Sequence, residues 1–162
     1  MQKNKLALTV QYTDPHLRAL VTRPLLRRWV QAALEAPAEL TIRLVGSAEG
    51  RALNRDYRGQ DHATNVLTFA YSEDDADMGE QRQEPADLTR ADLILCTDVL
   101  QAEAAAQNKS LLAHAAHLVV HGVMHAQGYD HETVAEAEQM EQRETAIMAR
   151  LGFADPYLAA DA

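Results

Sequence analysis

Apolar and polar residues alternate through Lys5-Leu6-Ala7-Leu8-Thr9-Val10-Gln11, the two-residue period of a strand with one buried face. The period then lengthens. Leu25, Leu26, Trp29, Val30, Ala33 and Leu34 form one stripe of a helix predicted over about 24–36. Pro24 suits its first turn, Trp29 belongs to the core, and Arg27-Arg28 face solvent. Alternation returns between Glu39 and Gly46, with Leu40, Ile42 and Leu44 on one face. Ser47 is placed to cap a short helix reaching about Tyr57, and Gly59 to end it. The β-formers of Thr64-Asn65-Val66-Leu67-Thr68-Phe69-Ala70-Tyr71 predict a third strand.

Residues 72–90 are acidic and polar without apolar period, which predicts a surface loop. Asp92 to Thr97 restores the strand signal. Asp98 is placed to cap a helix to about Gln107, and Ser110 a helix over 111–127. A last helix over about 133–151 carries Met140, Ile147, Met148 and Leu151 toward the core, and the tail Asp155-Pro156-Tyr157-Leu158 docks in part. The order β-α-β-α-β-β-α-α-α predicts an α+β fold, a four-stranded mixed sheet packed with helices in a single domain over 1–162. The 111–127 helix is expected at its centre, because Leu111, Leu112, Leu118, Val119, Val120 and Val123 surround it with apolar groups.

Composition changes this picture little. The chain is 47% hydrophobic and 24% charged, values of an ordinary globular protein. The single cysteine, Cys96, sits in the apolar run Leu93-Ile94-Leu95-Cys96, so a buried thiol and a reducing, cytoplasmic location are expected. No stretch is apolar enough to span a membrane, and Met1-Gln2-Lys3-Asn4-Lys5 leads into a strand instead of a secretory apolar core. A net charge of −9 argues against a generic nucleic-acid binder. The charge is uneven: residues 1–58 hold 10 basic and 5 acidic side chains, whereas the rest hold 5 and 19. Either the protein carries a basic face or its acidic surface simply falls late in the chain.

The candidate chemistry lies in the predicted 111–127 helix and just beyond it. Five of the seven histidines stand between 114 and 131. His121 and His125 are one turn apart on one face, and His131 follows Gly128, a residue suited to the left-handed turn that ends a helix. Two imidazoles from a helix and a third from the returning loop can surround one ion and leave a fourth position open. His121-Gly122-Val123-Met124-His125-Ala126-Gln127-Gly128-Tyr129-Asp130-His131 has the spacing of the peptidase pattern H-E-x-x-H-x-x-G-x-x-H. The glutamate that serves those zincins as base is replaced by Gly122, which cannot move a proton. The metal frame is therefore zincin-like and the peptidase base is missing. Asp130 is expected to orient an imidazole. His114 and His117 share the helical face, and both are read as structural, although His117, one turn before His121, also suits a place beside the ligands.

A second constellation precedes the third strand: Leu53-Asn54-Arg55-Asp56-Tyr57-Arg58-Gly59-Gln60-Asp61, then Thr64-Asn65-Val66-Leu67-Thr68-Phe69. An arginine at a helix end can reach into a groove, where its fork of donors suits a phosphate; spacing alone equally fits a surface arginine. With Ala91-Asp92-Leu93-Ile94-Leu95-Cys96, the run His114 to His131, Glu136-Ala137-Glu138-Gln139-Met140-Glu141, Glu144 and Asp155-Pro156-Tyr157, this chain resembles the YbeY family of bacterial endoribonucleases from about residue 50 to 158. The resemblance implies one Zn²⁺ held by His121, His125 and His131, with His121 and Arg58 in the catalytic machinery. It also implies single-stranded RNA as substrate, a role in maturing the 3′ end of 16S rRNA and in ribosome quality control, and the small ribosomal subunit and its proteins as partners, with neither DNA nor membrane.

An ion held by three neutral imidazoles keeps its full charge as a Lewis acid, which serves attack by water or by the RNA 2′-OH. Two other readings fit the same metal frame. One is a zincin-type peptidase, which Gly122 disfavours. The other is a non-catalytic ribosome-assembly factor whose zinc only braces the fold.

Overall fold

The computed structural model describes residues 4–60, 64–71, 88–130 and 132–157. Its elements run β1 (Leu6–Tyr12), α1 (Arg23–Ala33), β2 (Ala38–Val45), α2 (Ser47–Arg58), β3 (Val66–Ala70), β4 (Thr89–Cys96), α3 (Thr97–Ala106), α4 (Leu111–Ala126) and α5 (Val134–Arg150). The sheet order is β1-β2-β4-β3. β1 lies parallel to β2 and β2 to β4, while β3 runs antiparallel to β4. The predicted four-stranded mixed sheet and α+β class are therefore present. A 3₁₀ turn at Pro15–Leu17, which the apolar pattern does not announce, is capped by Asp14, whose Oδ1 accepts from the His16 amide at 3.1 Å.

The sheet is covered on two faces. Leu40, Ile42, Leu44, Leu93 and Leu95 join α1, α4 and α5 in the main core. Val45, Leu67 and Ile94 form a smaller cluster on the other face with Leu53 of α2 and Phe69. Trp29 is buried and meets Phe153 edge to face, 6.5 Å between centroids. Cys96 is buried with a free thiol. α4 is apolar nearly all round and packs against α1, α3, α5, β3 and β4, so the histidine helix is central, as its composition predicts.

A strand boundary and two helix caps differ from the sequence expectation. β4 begins at Thr89, because Arg90 pairs in register with Glu39 and its guanidinium reaches that carboxylate at 3.4 Å; a cross-strand ion pair carries polar residues into the sheet. Ser47 is not an N-cap. Gly46 holds that position, and Ser47 opens α2 with its amide and hydroxyl both donating to Asp98 Oδ2, at 3.3 and 2.6 Å. Nor does Asp98 cap α3, which starts from Cys96; its carboxylate serves the first turn of the neighbouring helix instead. Ser110 does cap α4, accepting from the Ala113 amide at 3.1 Å, and Thr133 with Glu136 forms a reciprocal capping box on α5. Most of the expected acidic loop, residues 72–87, lies outside the described residues, as does Leu158 of the tail.

Candidate metal centre and its cleft

α4 ends where the left-handed residue was expected. Gly128 has φ +101°, and the Gly128 and Tyr129 amides donate back to the His125 and Met124 carbonyls at 3.0 and 3.1 Å. The loop beyond is fastened to the end of α1. Gln127 Oε1 accepts from the Glu35 amide at 2.7 Å, and Gln127 Nε2 donates to the Ala33 carbonyl at 2.8 Å. The Tyr129 hydroxyl and Arg143 both donate to Glu35 Oε2, each at 2.7 Å. His131, the third expected ligand, lies outside the described residues.

His121 and His125 present a defined arrangement of nitrogens. His125 Nδ1 lies 3.0 Å from the Tyr129 carbonyl, which can only accept, so this nitrogen carries the proton. His121 Nδ1 lies 2.9 Å from Glu144 Oε1. Burial raises the Glu144 pKa, but the hydrogen bonds from His117 and His121, the charge of His121 and the Tyr157 hydroxyl outweigh it and hold the group at about 2. That carboxylate is ionised at neutral pH, accepts only, and fixes the proton on His121 Nδ1 as well. In the neutral rings both Nε2 atoms then carry lone pairs, and they face each other at 3.0 Å. A shared proton or a metal ion satisfies such a contact. Two imidazole nitrogens on one tetrahedral zinc would stand about 3.3 Å apart, so the pair fits a metal.

His117 joins this cluster, in the place beside the ligands that its spacing also allows. Its Nε2 lies 3.0 Å from Glu144 Oε1 and 3.3 Å from the Tyr157 hydroxyl. That hydroxyl donates to Glu144 Oε2 at 2.8 Å; burial and then the Glu144 charge push its pKa up. His117, His121 and Glu144 each offer a ligand atom within 4.8 Å of the others and can hold a metal ion. This arrangement competes with the first one for His121, because a protonated Nδ1 bonded to Glu144 cannot also ligate. Glu144 is fully buried on the core stripe of α5 with Met140, Ile147 and Met148. Its signal in the sequence was a carboxylate at an apolar position of a helix, a place where charge stands only when partnered. His114 also borders the cleft. It is buried, with Nε2 2.9 Å from Glu103 Oε1, which also accepts from Asn65 at 3.0 Å.

Arg58 ends α2, where Gly59 at φ +72° closes the helix. Its Nη2 donates to the Thr68 carbonyl at 2.7 Å, turning the guanidinium toward β3. Arg58, Asp130, His117, His121 and His125 line one open cleft of about 740 Å³, large enough for a segment of chain and not merely an ion. Two stretches some sixty residues apart in the sequence are thus brought to one cavity.

Gly122 lies under the centre. A Cβ there would meet Leu93 Cδ2 at 2.8 Å and Thr68 Oγ1 at 3.3 Å, so α4 touches the sheet at this point. A side chain at the position of the zincin glutamate would require Leu93 to shift.

The model for the family described as Endoribonuclease YbeY matches residues 5–152. The chain is 61% identical over 160 residues to the Endoribonuclease YbeY of Herminiimonas arsenicoxydans, covering 99% of this chain and all of that protein. It is 61% identical over 158 residues to the one from Janthinobacterium sp. (strain Marseille), covering 98% of each. The solution structure of TM1509 from Thermotoga maritima shares the fold at 21% identity, with a TM-score of 0.52 over 93% of this chain and 99% of that one.

Proposed function

The chain belongs to the YbeY family, and on that premise we propose that it is a single-domain, zinc-dependent endoribonuclease of single-stranded RNA. Its role is the maturation of the 3′ end of 16S rRNA and ribosome quality control in the cytoplasm. The observation that carries this is the pair of Nε2 atoms on His121 and His125, 3.0 Å apart in a cleft shared with Arg58. His121, His125 and His131 would hold the zinc, His131 following Gly128 in the sequence. The bound ion would supply Lewis acidity to the reaction.

The chain's own side chains do the rest. Glu144 and the Tyr129 carbonyl keep both imidazoles in the tautomer that turns Nε2 inward. Arg58 meets the charge that grows on the phosphate. One of its five N–H donors is used on the Thr68 carbonyl, which aims the remainder of the fork. The net charge of −9 suits an enzyme whose RNA is presented by the small ribosomal subunit and its proteins instead of being drawn from solution. Among the described residues no helix is long and apolar enough to cross a membrane. The packed surface at Gly122 disfavours a peptidase.

Cells depleted of the protein and complemented with wild type or Arg58→Ala provide the test. Wild type is expected to clear 3′-extended 16S precursor and Arg58→Ala to leave it. Equal clearing by both would favour the non-catalytic assembly factor.

A further inference from the structure

Arg58 lines the cleft and also borders the outer edge of the sheet, where Phe69 and Tyr57 stand. β3 is an end strand, and Arg58 reaches over it to the Thr68 carbonyl. The guanidinium carbon of Arg58 lies 5.5 Å from the centroid of the Phe69 ring. Phe69 in turn meets Tyr57 with centroids 5.4 Å apart and planes inclined by 68°. Phe69 is half-buried over the smaller core cluster, whereas Tyr57 is 68% exposed. In a T-shaped contact either ring presents its edge, so at least one π face of Tyr57 is not used by Phe69.

One exposed aromatic is ordinary on a protein surface. An exposed ring joined through Phe69 to an arginine that itself lines a cleft is a more specific arrangement. Sites for single-stranded nucleic acid combine a cation for the backbone with an aromatic face for a base. We infer that Tyr57, backed by Phe69, is a stacking subsite for one base of single-stranded RNA, flanking the nucleotide whose phosphate meets Arg58. Any base satisfies such a site, because each has a π face, whereas a base stacked and paired in a duplex does not. The subsite therefore selects single strands without reading sequence. This rests on the ribonuclease assignment of the cleft.

The test is a cycle between the ring and the base. KM is measured for zinc-loaded protein on a labelled single-stranded RNA and on a series with one abasic ribose moved stepwise around the cleaved bond. In wild type one abasic position is expected to raise KM about tenfold. Tyr57→Ala and Tyr57→Leu are expected to raise KM by the same factor on intact RNA and to be insensitive to that abasic position, while Tyr57→Trp retains the wild-type pattern. Zinc content and melting, measured on each variant, separate a loss of stacking from a loss of fold. Intact-RNA KM unchanged in Tyr57→Ala, or ring and base penalties that multiply, would overturn the subsite while leaving the nuclease assignment standing. No RNA cleavage by wild type would remove both.

Discussion

Glu144 Oε1 sits between His117 Nε2 at 3.0 Å and His121 Nδ1 at 2.9 Å, so one buried carboxylate on α5 holds two successive rings of the histidine helix. That contact leaves His121 only Nε2 with which to ligate. If the zinc sits between His121 and His125, Glu144 orients a ligand and does not bind the ion. Glu144→Gln is then expected to keep one zinc per chain while weakening its affinity about 10–100-fold, and His125→Ala to abolish tight binding. Chelator competition measures both. A His125→Ala protein with full affinity, alongside a zinc-free Glu144→Gln, would place the metal on His117, His121 and Glu144.

Gly122 permits the close approach of α4 to the sheet. A methyl group at this position would press on Leu93, which is fully buried and would have to shift. Gly122→Ala is expected to destabilise the protein by about 1–3 kcal/mol, read as a lower urea midpoint at unchanged slope. Gly122→Glu, which restores the zincin sequence pattern, is expected to unfold the protein or displace α4 and to create no peptidase. Casein cleavage by a folded Gly122→Glu protein would contradict this.

Acid stability follows from the same carboxylate. Glu144 is held at about 2 against an ordinary 4.5, so its folded-state pKa lies below its unfolded one. The charged form therefore favours folding above about pH 4.5, and that contribution is lost as the pH falls through about 2. The stability of metal-free wild type relative to Glu144→Gln should decline as the pH falls across that window. Urea midpoints of both proteins check this; a difference independent of pH would show that the Glu144 charge is not coupled to folding.

Much of this was legible in the sequence where the information is local. Periods of two and 3.6 placed the strands and helices, and the spacing of His121, His125 and Gly128 placed two inward imidazoles and a left-handed turn. What escaped depends on contacts between segments distant in sequence. Asp98 serves Ser47 across two helices, so neither acts as the cap its position suggests. Tyr129 fixes His125 through its carbonyl but is itself held by Glu35 of the α1 terminus, 94 residues away. His117 reads as structural until α5 brings Glu144 against it. A carboxylate on the apolar stripe with Met140 and Ile147 marked α5 as hiding a partnered charge, but not whose partner it was.

The most direct measurement is cleavage of a labelled single-stranded RNA by wild type, Arg58→Ala and His121→Ala, purified identically and with zinc determined on each. Arg58→Ala is expected to retain its zinc and lose cleavage by about 100-fold or more, and His121→Ala to lose both. Equal cleavage by all three would contradict the assignment of this cleft as a ribonuclease site.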